Sequence, residues 1–571
     1  MTVTHDPAGA APGPAGGRTM GLSRTADDRV VPSARRRLVP LLHRGGRRAG
    51  GEAHDRFTGW AATIAVTMLA GFLRLWELGR PNRFLFDETY YAKDAWALLH
   101  HGFVTDYVDG ADKKIVAGQT AGLFKDNPSM VVHPEVGKWL IALGEKAFGM
   151  DSFGWRFSAA VVGTLMVLVL IRLVRRLTGS TLLGCTAGIL LTFDGLHFVM
   201  SRSALLDIFL AFFLLCAVAC LVADRDWGRM RLARLVPTGY RTTAADWGPV
   251  RGLLWRPWRL AAGLCFGLAC ATKWNALFPL AAFGLLVWMW DAGARRSLGV
   301  RNARLRSLVV DALPAFGYLV LVALVVYVVS WTGWLLHADA YEKALSNTQY
   351  GPYWGSYLEQ DAHGFFPELW QSLRSLWNYH QDVFTFHTRF LNDATHTYQS
   401  KPQWWLILNR PVGMQADLGI EPGTQGCTAA PSSTCLRQVL LLGTPALWWG
   451  GAVALVYSVY AWLGRRDWRF GLVLVGVVST WLPWVRYDDR PIFSYYAISI
   501  LPFTIIGLTL LLGVVMGGAR ASSSRRLWGT TAAGAFVVLV VVNFAWFWPI
   551  YTGELITTPA WLERIWFKQW I

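Results

Sequence analysis

The sequence predicts an all-α polytopic membrane protein with about eleven transmembrane helices and two large external loops. Hydrophobic residues make up 53% of the 571-residue chain, which includes 31 Trp, and they recur in long apolar stretches. Stretches of roughly 20 apolar residues cross a bilayer as helices, because helices satisfy their own backbone hydrogen bonds. The predicted spans are 57–76, 155–173, 181–199, 204–223, 258–273, 275–291, 308–334, 440–463, 470–485, 493–516 and 527–550.

Arginine clusters orient these spans. The formal net charge is +17, and the clusters fall on alternate connections, on the side that also holds the N-terminus. Cytoplasmic connections are enriched in Lys and Arg, so we expect a plasma-membrane protein with a cytoplasmic N-terminus and an external C-terminus. The same placement argues against nucleic-acid binding as the source of the basic charge. The clusters include Arg172, Arg175 and Arg176, the run from Arg225 to Arg259, and Arg295, Arg296, Arg301, Arg304 and Arg306.

The remaining segments divide into a tail and two loops. Residues 1–56 are rich in Gly, Pro, Ala and Arg, which predicts a disordered basic cytoplasmic tail before a membrane domain over 57–571. The external loops, about 77–154 and 335–439, are long enough to indicate a function on the outer face. Cys427 and Cys435 lie in the second loop, where an oxidising compartment favours a disulfide over two free thiols.

The first loop begins with the stretch RFLFDETYYAKDAWAL, which places Asp87 and Glu88 among aromatic residues. A carboxylate that loses hydration has a raised pKa and becomes a better base once it is deprotonated. The alternative is a helix N-terminus, capped by Asp87 and favourable to the charge of Glu88. Both interpretations hold together if the cap also positions a catalytic group. Tyr91 follows on the same stretch, and we expect it to shape the site.

The second charged stretch, residues 131–160, contains His133, Lys138 and Arg156. The His133–Pro134 step indicates a turn, after which Lys138 lies on a helix that runs toward the second span. Arg156 lies at the external mouth of that span, where an arginine is costly unless it meets an anion. A lipid phosphate is the candidate ligand, because guanidinium matches phosphate with two hydrogen bonds. The alternative is an arginine that extends to the lipid headgroups.

Three further external turns carry charge. Asp207 begins the fourth span, and we favour an ion pair or hydrogen bond with a packing role for it. Lys273 lies between the fifth and sixth spans, and Arg486 and Arg490 lie between the ninth and tenth. Together these turns suit a site that holds an anionic lipid headgroup, although a solvated loop explains each one alone.

The chain has no Walker motif, dinucleotide glycine fingerprint or metal-ligand spacing of the HExxH or CxxC kind. This argues against nucleotide-driven transport and against a zinc hydrolase. A carboxylate and phosphate-binding cations on the outer face instead suggest transfer from a lipid-phosphate donor.

Five stretches together resemble the bacterial protein O-mannosyltransferases, particularly those of actinobacteria. They are FDETYYAKDAWAL, VHPEVGKWLIALGEKAFG followed by FGWRFSAA, SRSALLDIFL, TKWN and YYAISILPF, and they occur in order from about residue 57 onward. The resemblance implies a GT-C membrane glycosyltransferase that moves mannose, with inversion, from polyprenyl-phosphate mannose to Ser/Thr hydroxyls of secreted or membrane proteins. One departure is Glu135, where the family commonly has a second proline after His-Pro.

The resemblance also implies residue roles. Asp87 would accept the acceptor proton, Glu88 would orient the acceptor or support Asp87, and Arg156 would bind the donor phosphate. Lys273, Arg486 and Arg490 are further phosphate-binding candidates, while His133, Lys138, Tyr91 and Asp207 would shape the acceptor site. We expect no required cofactor, although assistance by a divalent cation stays open. We also expect polypeptide acceptors that emerge from the secretion machinery.

Two other functions remain open at this point. One is a GT-C transferase that glycosylates a lipid or a cell-wall glycan. The other is a non-catalytic carrier of polyprenyl-phosphate sugars, which needs no base at the outer surface and places its polar groups nearer the bilayer midplane.

Overall fold

The computed structural model describes residues 49–236, 246–250, 252–347, 354–355, 362–518 and 521–571. Most of the predicted tail, 1–48, lies outside the described residues. The first described helix begins at Ala49, inside the predicted tail. Helices dominate the structure; they are α1 (Ala49–Leu75), α2 (Glu88–His101), α3 (Ala111–Val116), α4 (Val136–Phe148), α5 (Ser152–Thr178), α6 (Thr181–Thr192), α7 (Gly195–Met200), α8 (Leu206–Leu235), α9 (Pro257–Cys270), α10 (Leu277–Ser297), α11 (Ala303–Ser330), α12 (Thr332–Leu336), α13 (Ala338–Leu345), α14 (Phe365–Thr388), α15 (Pro445–Leu463), α16 (Trp468–Arg486), α17 (Leu501–Met516), α18 (Ser523–Thr552) and α19 (Thr558–Leu562).

The predicted membrane spans are confirmed as helices. Within the described ranges, eight helices are long and apolar enough to cross a membrane, and α6, α9 and α17 are shorter apolar helices. Each of the eleven predicted spans overlaps one of these helices. Turns of π-helix interrupt α11 at Leu308–Ala312 and Gly317–Leu321.

The helices differ from the predicted spans in their bounds; for example, α8 runs to Leu235 rather than to residue 223, and α17 begins at Leu501 rather than at residue 493. Two further differences have a visible cause. The span predicted at 181–199 is broken, because the Asp194 side chain accepts a hydrogen bond from the His197 amide and starts α7 as a new helix. The span predicted from residue 440 begins instead at Pro445, since residues up to Leu441 belong to a β-strand. Proline at the first helical position has the φ angle that a helix start requires.

The prediction of an all-α protein omitted two small antiparallel sheets, one in the first long loop and one that joins the second long loop to the segment after α18. The first pairs β1 (Thr105–Tyr107) with β2 (Phe124–Pro128). The second has the order β3 (Val412–Ile420), β4 (Cys435–Leu441) and β5 (Ile556–Thr557). A disulfide joins Cys427 to Cys435 beside this sheet, with a Cα–Cα distance of 5.7 Å.

Close packing of α4 against the start of α5 sets the position of Arg156. A Cβ at Gly144 would lie 2.3 Å from the carbonyl oxygen of Gly154, so the two backbones touch there. Only glycine permits such an approach. Arg156 follows on α5 and is fully buried against the segment that precedes α2. The first loop and the membrane helices thus form one packed body at the end of the molecule that carries Asp87, which we call the site face.

Candidate active site

Asp87 follows a strained residue. Phe86 has a φ of 47°, a left-handed conformation that costs a non-glycine residue about 1–2 kcal/mol. Tertiary contacts hold it there, because its amide donates to the carbonyl of Met414 on β3 (3.2 Å) and its ring packs edge-on against Phe493. Strain of this kind is concentrated at functional sites. The loop therefore fixes the direction in which Asp87 leaves the backbone.

The Asp87 side chain does not cap α2, although the residue occupies the N-cap position. Its Oδ2 instead accepts a hydrogen bond from the Tyr495 hydroxyl at 3.2 Å. Burial raises the pKa of Asp87 to about 6, and the positive charge of Lys273 and the Tyr495 bond limit that rise. The carboxylate is consequently ionised at neutral pH, yet it is more basic than an exposed aspartate. This environment suits proton acceptance better than helix capping.

Glu88 lies in a different environment from its neighbour. Its carboxylate is fully buried and accepts two hydrogen bonds from Arg156, Nε to Oε1 and Nη2 to Oε2, each at 2.9 Å. The Trp155 indole and two backbone amides, those of Leu85 and Ala204, also donate to it. The remaining N–H groups of Arg156 donate to three backbone carbonyls: Leu78, Pro81 and Arg83. The geometry therefore gives no support to the prediction that Arg156 binds a phosphate, since its guanidinium is already occupied.

Lys273 and Asp207 form a second buried ion pair. The Lys273 ammonium lies 2.8 Å and 3.0 Å from the two carboxylate oxygens of Asp207, at the start of α8. It also lies over the Tyr496 ring, 4.4 Å from the centroid. Asp207 thus has the pairing role that the sequence favoured, and it holds the Lys273 charge close to Asp87.

A cavity of about 270 Å³ opens beside this pair. Four of its lining residues carry basic side chains: His133, Lys273, His387 and Arg490. Other lining residues are apolar, and three of these, Phe384, Leu277 and Phe278, are exposed. The apolar residues are Trp274, Leu277, Phe278, Phe384 and Trp484. A cavity lined by both cations and exposed apolar residues fits an anionic group attached to a long hydrocarbon chain.

Arg490 supplies donors to this cavity. Its Nη1 donates to the His387 carbonyl and contacts the His387 ring Nδ1, each at 3.0 Å. Its Nε is buried and has no hydrogen-bond partner among the residues that the structure describes. Burial and the Arg490 charge lower the pKa of His387 to about 4. Burial, with Lys273 next, likewise lowers the pKa of His133, which stacks on His387 at 5.3 Å. Both histidines are neutral at pH 7, so the cavity's charge comes from Lys273 and Arg490.

The other predicted site residues lie around this centre rather than in it. Tyr91 is buried, with its ring 6.3 Å from that of His133. Lys138 is buried in an ion pair with Asp94 at 2.8 Å and does not line the cavity. Arg486 is exposed at the end of α16 and also lies outside the cavity wall.

Sequence reasoning missed Tyr495 and His387. Tyr495 belongs to the stretch YYAISILPF that carried part of the resemblance, but it is 408 positions from Asp87. No periodicity in a single sequence pairs positions so far apart. His387 lies on α14, and no apolar span marks that helix within the predicted loop 335–439, so the sequence does not single His387 out.

Comparison with known proteins gives matches along nearly the whole chain. A family model described as dolichyl-phosphate-mannose-protein mannosyltransferase matches residues 64–340. A second, described as the C-terminal four-transmembrane region of protein O-mannosyltransferase, matches residues 372–570.

Two curated relatives carry the name polyprenol-phosphate-mannose–protein mannosyltransferase. The one from Mycobacterium tuberculosis is 38% identical over 90% of this chain and 92% of its own length. The one from Corynebacterium glutamicum is 32% identical over 90% of this chain and 94% of its own length.

A solved structure has the same fold. The Saccharomyces cerevisiae protein O-mannosyltransferase Pmt1-Pmt2 complex, bound to the sugar donor, aligns with a TM-score of 0.63 at 14% identity. The alignment covers 90% of this chain and 93% of that chain. It confirms the prediction of a GT-C membrane fold.

Proposed function

The chain belongs to the dolichyl-phosphate-mannose-protein mannosyltransferase family, and from this premise we propose that it transfers mannose from a polyprenyl-phosphate mannose to Ser and Thr hydroxyls of polypeptides. The observation that carries the proposal is the Asp87 carboxylate, which is ionised at neutral pH, unusually basic and free of a capping bond. A glycosyl acceptor hydroxyl needs such a group to take its proton.

In the proposed reaction, Asp87 accepts the proton of the acceptor hydroxyl as its oxygen bonds to the anomeric carbon of mannose. The bond from that carbon to the phosphate oxygen breaks in the same step, and polyprenyl phosphate leaves. A single displacement converts the β-linked donor of this family into an α-linked product. Tyr495 holds the Asp87 carboxylate in place through its hydrogen bond.

We assign the donor phosphate to the cavity wall formed by Arg490 and Lys273. The buried Nε of Arg490 has no partner among the described residues, and a phosphate oxygen is a suitable acceptor for it. Lys273 lines the same cavity and also acts on Asp87, so it connects the phosphate and the base. Positive charge placed where the leaving phosphate gains negative charge stabilises the transition state. The prenyl chain would leave past the apolar edge at Phe278 and Phe384.

Glu88 and Arg156 receive a positioning role in this scheme. Their paired charges bind the segment Leu78 to Leu85 to the start of α5, and that segment ends at the strained Phe86. The Glu88–Arg156 pair therefore helps to fix the backbone from which the Asp87 side chain extends. Of the two roles considered for Glu88, support of Asp87 fits this geometry better than contact with the acceptor.

We propose that the site face is external and that the transfer needs no metal. The arginine clusters lie at the opposite ends of the helices, as the positive-inside pattern requires for an external site. Lys273 and Arg490 supply the positive charge that a metal would otherwise provide to the leaving phosphate. Initial rates should accordingly be the same with a chelator as with added Mg²⁺ or Mn²⁺.

The test uses purified protein, radiolabelled polyprenyl-phosphate mannose and a Ser/Thr-rich peptide. Wild type should place label on peptide hydroxyls, and Asp87→Asn should lower the initial rate by a factor on the order of 100 to 10,000. The matched control is Asp109→Asn, because Asp109 lies in the same loop with a fully exposed side chain. Label that appears only in lipid or glycan would refute the polypeptide acceptor.

A further inference from the structure

A second charged cavity lies at the end of the molecule opposite the site face. It has a volume of about 250 Å³ and lies between α5, α8 and α9. Arg172 follows Arg156 on α5, about 24 Å farther along the helix at 1.5 Å per residue. This separation is close to the thickness of the hydrocarbon core of a bilayer. The cavity therefore lies at the opposite membrane interface and is separate from the candidate active site.

The walls of this cavity differ in chemistry. Three arginines on α5, Arg172, Arg175 and Arg176, form one side. The other walls are mainly apolar: Leu168, Val169, Leu173, Ala219, Ala223 and Trp258. Tryptophan is enriched at membrane interfaces, and Trp258 is 44% exposed. The basic wall meets the headgroup level of the bilayer, while the apolar walls continue toward its interior.

Arg172 is held in place by an aromatic contact, and no described carboxylate pairs with it. Its guanidinium stacks over the Trp60 ring at 3.9 Å from the centroid. Its Nη1 is buried and has no hydrogen-bond partner among the described residues. A buried guanidinium N–H without an acceptor costs free energy, and binding of an anion would remove that cost. The nearby carboxylate of Asp226 pairs with other arginines: it lies 3.4 Å from Arg176 and 3.5 Å from Arg225.

Other arginines at this end of the molecule, opposite the site face, have carboxylate partners. Arg256 and Arg259 both pair with Asp224, at 2.7 Å and 2.9 Å. Arg295 forms a two-bond ion pair with Asp311. These arginines are thus paired within the fold, whereas none of the described residues that line the Arg172 cavity is a carboxylate.

We propose that this cavity binds the phosphate of an anionic phospholipid in the leaflet opposite the candidate active site. The phosphate lies against Arg172 and Arg176, because guanidinium groups match phosphate oxygens in geometry and charge. An acyl chain lies along Leu168, Val169 and Ala219. Basic cavities between membrane helices are suited to such headgroups.

The test measures lipid binding without donor or acceptor, so its result does not depend on the proposed function. Purified protein is titrated with phosphatidylglycerol or phosphatidylcholine and analysed by native mass spectrometry. Wild type should retain one phosphatidylglycerol with roughly tenfold or greater preference over phosphatidylcholine. The double variant Arg172→Gln/Arg176→Gln should lose that preference. The control Arg525→Gln/Arg526→Gln removes the same charge from exposed positions at the start of α18 and should keep it.

Three further measurements test the same assignment. Arg172→Lys retains the charge and should bind phosphatidylglycerol with intermediate affinity, which separates loss of the site from loss of folding. A phosphatidylglycerol with a photoreactive acyl chain should label Leu168, Val169 or Ala219. Displacement of the lipid by an equal concentration of glycerol 3-phosphate would make the site one for soluble phosphates and overturn the lipid assignment. Equal binding by wild type and the double variant would overturn it as well.

Discussion

Asp87 and Glu88 are adjacent carboxylates with opposite surroundings. Glu88 is fully buried and accepts five hydrogen bonds, two of them from Arg156. Asp87 is partly exposed and accepts one side-chain hydrogen bond, from Tyr495. A carboxylate whose lone pairs are all engaged stabilises the fold, whereas one with spare acceptor capacity can take a proton. The difference indicates a structural role for Glu88 and a catalytic role for Asp87.

The largest expected effect on stability comes from breaking the Glu88–Arg156 pair. Glu88→Gln leaves a buried guanidinium without its counter-charge, which should cost on the order of 3–5 kcal/mol. The double variant Glu88→Gln/Arg156→Gln removes both charges and should be more stable than Glu88→Gln alone. Thermal unfolding in detergent measures this. A double variant that loses the sum of the two single losses would show that the pair is not coupled.

The sequence predicted much of the fold and part of this site. Apolar stretches gave the spans, because crossing a bilayer requires about 20 apolar residues whatever the neighbours are. The stretch around Asp87 was also found, since adjacent carboxylates among aromatics are unusual. The partner of Arg156 was not: a single sequence does not reveal that Glu88, 68 positions away, already satisfies that guanidinium. For the same reason the sequence did not reveal the contact between Tyr495 and Asp87, and it did not distinguish Arg490 from the other phosphate-binding candidates.

The next effect concerns the donor. Arg490→Gln removes a charged donor from the cavity and should weaken donor binding by roughly 10- to 100-fold, the effect of a hydrogen bond to a charged group. Arg490→Lys should restore part of the affinity, because an ammonium lacks the planar fork. The matched control is Arg486→Gln, an exposed position four residues earlier that lies outside the cavity wall. Equal donor affinities in Arg486→Gln and Arg490→Gln would remove Arg490 from the phosphate site.

A smaller and graded effect should appear with pH. Asp87 must be ionised to act as a base, and its pKa is raised to about 6 by burial. The rate of mannosyl transfer at limiting substrate should therefore be level above neutral pH. Below about pH 6 it should fall by roughly tenfold per pH unit. A rate that stays level down to about pH 4.5 would mean that the base has the pKa of an ordinary carboxylate or that no base acts.

The smallest expected effect concerns Glu135, a buried carboxylate that lacks the partners of Glu88. Neither of its oxygens has a hydrogen bond of good geometry among the described residues. Burial raises its pKa to about 7, and the charge of Lys138 and the nearby Trp139 side chain limit that rise. The protonated form of Glu135 is compatible with the fold. Its contribution to the free energy of unfolding is lost as the pH rises through 7 and the carboxyl ionises. Glu135→Gln should therefore raise the Tm relative to wild type at pH 8.5 and have little effect at pH 5. An equal difference at both pH values would contradict this assignment.

The assignment of Asp87 as the base and of Glu88 as a structural residue is tested most directly by measuring two quantities on Asp87→Asn and Glu88→Gln side by side. The first is the initial rate of mannosyl transfer at saturating donor, and the second is the free energy of unfolding or the Tm in detergent. We expect a crossed result: Asp87→Asn loses turnover at near wild-type stability, whereas Glu88→Gln loses stability and retains more turnover per folded molecule. If both variants lose turnover and stability in the same proportion, the two carboxylates share one structural role and Asp87 is not the base.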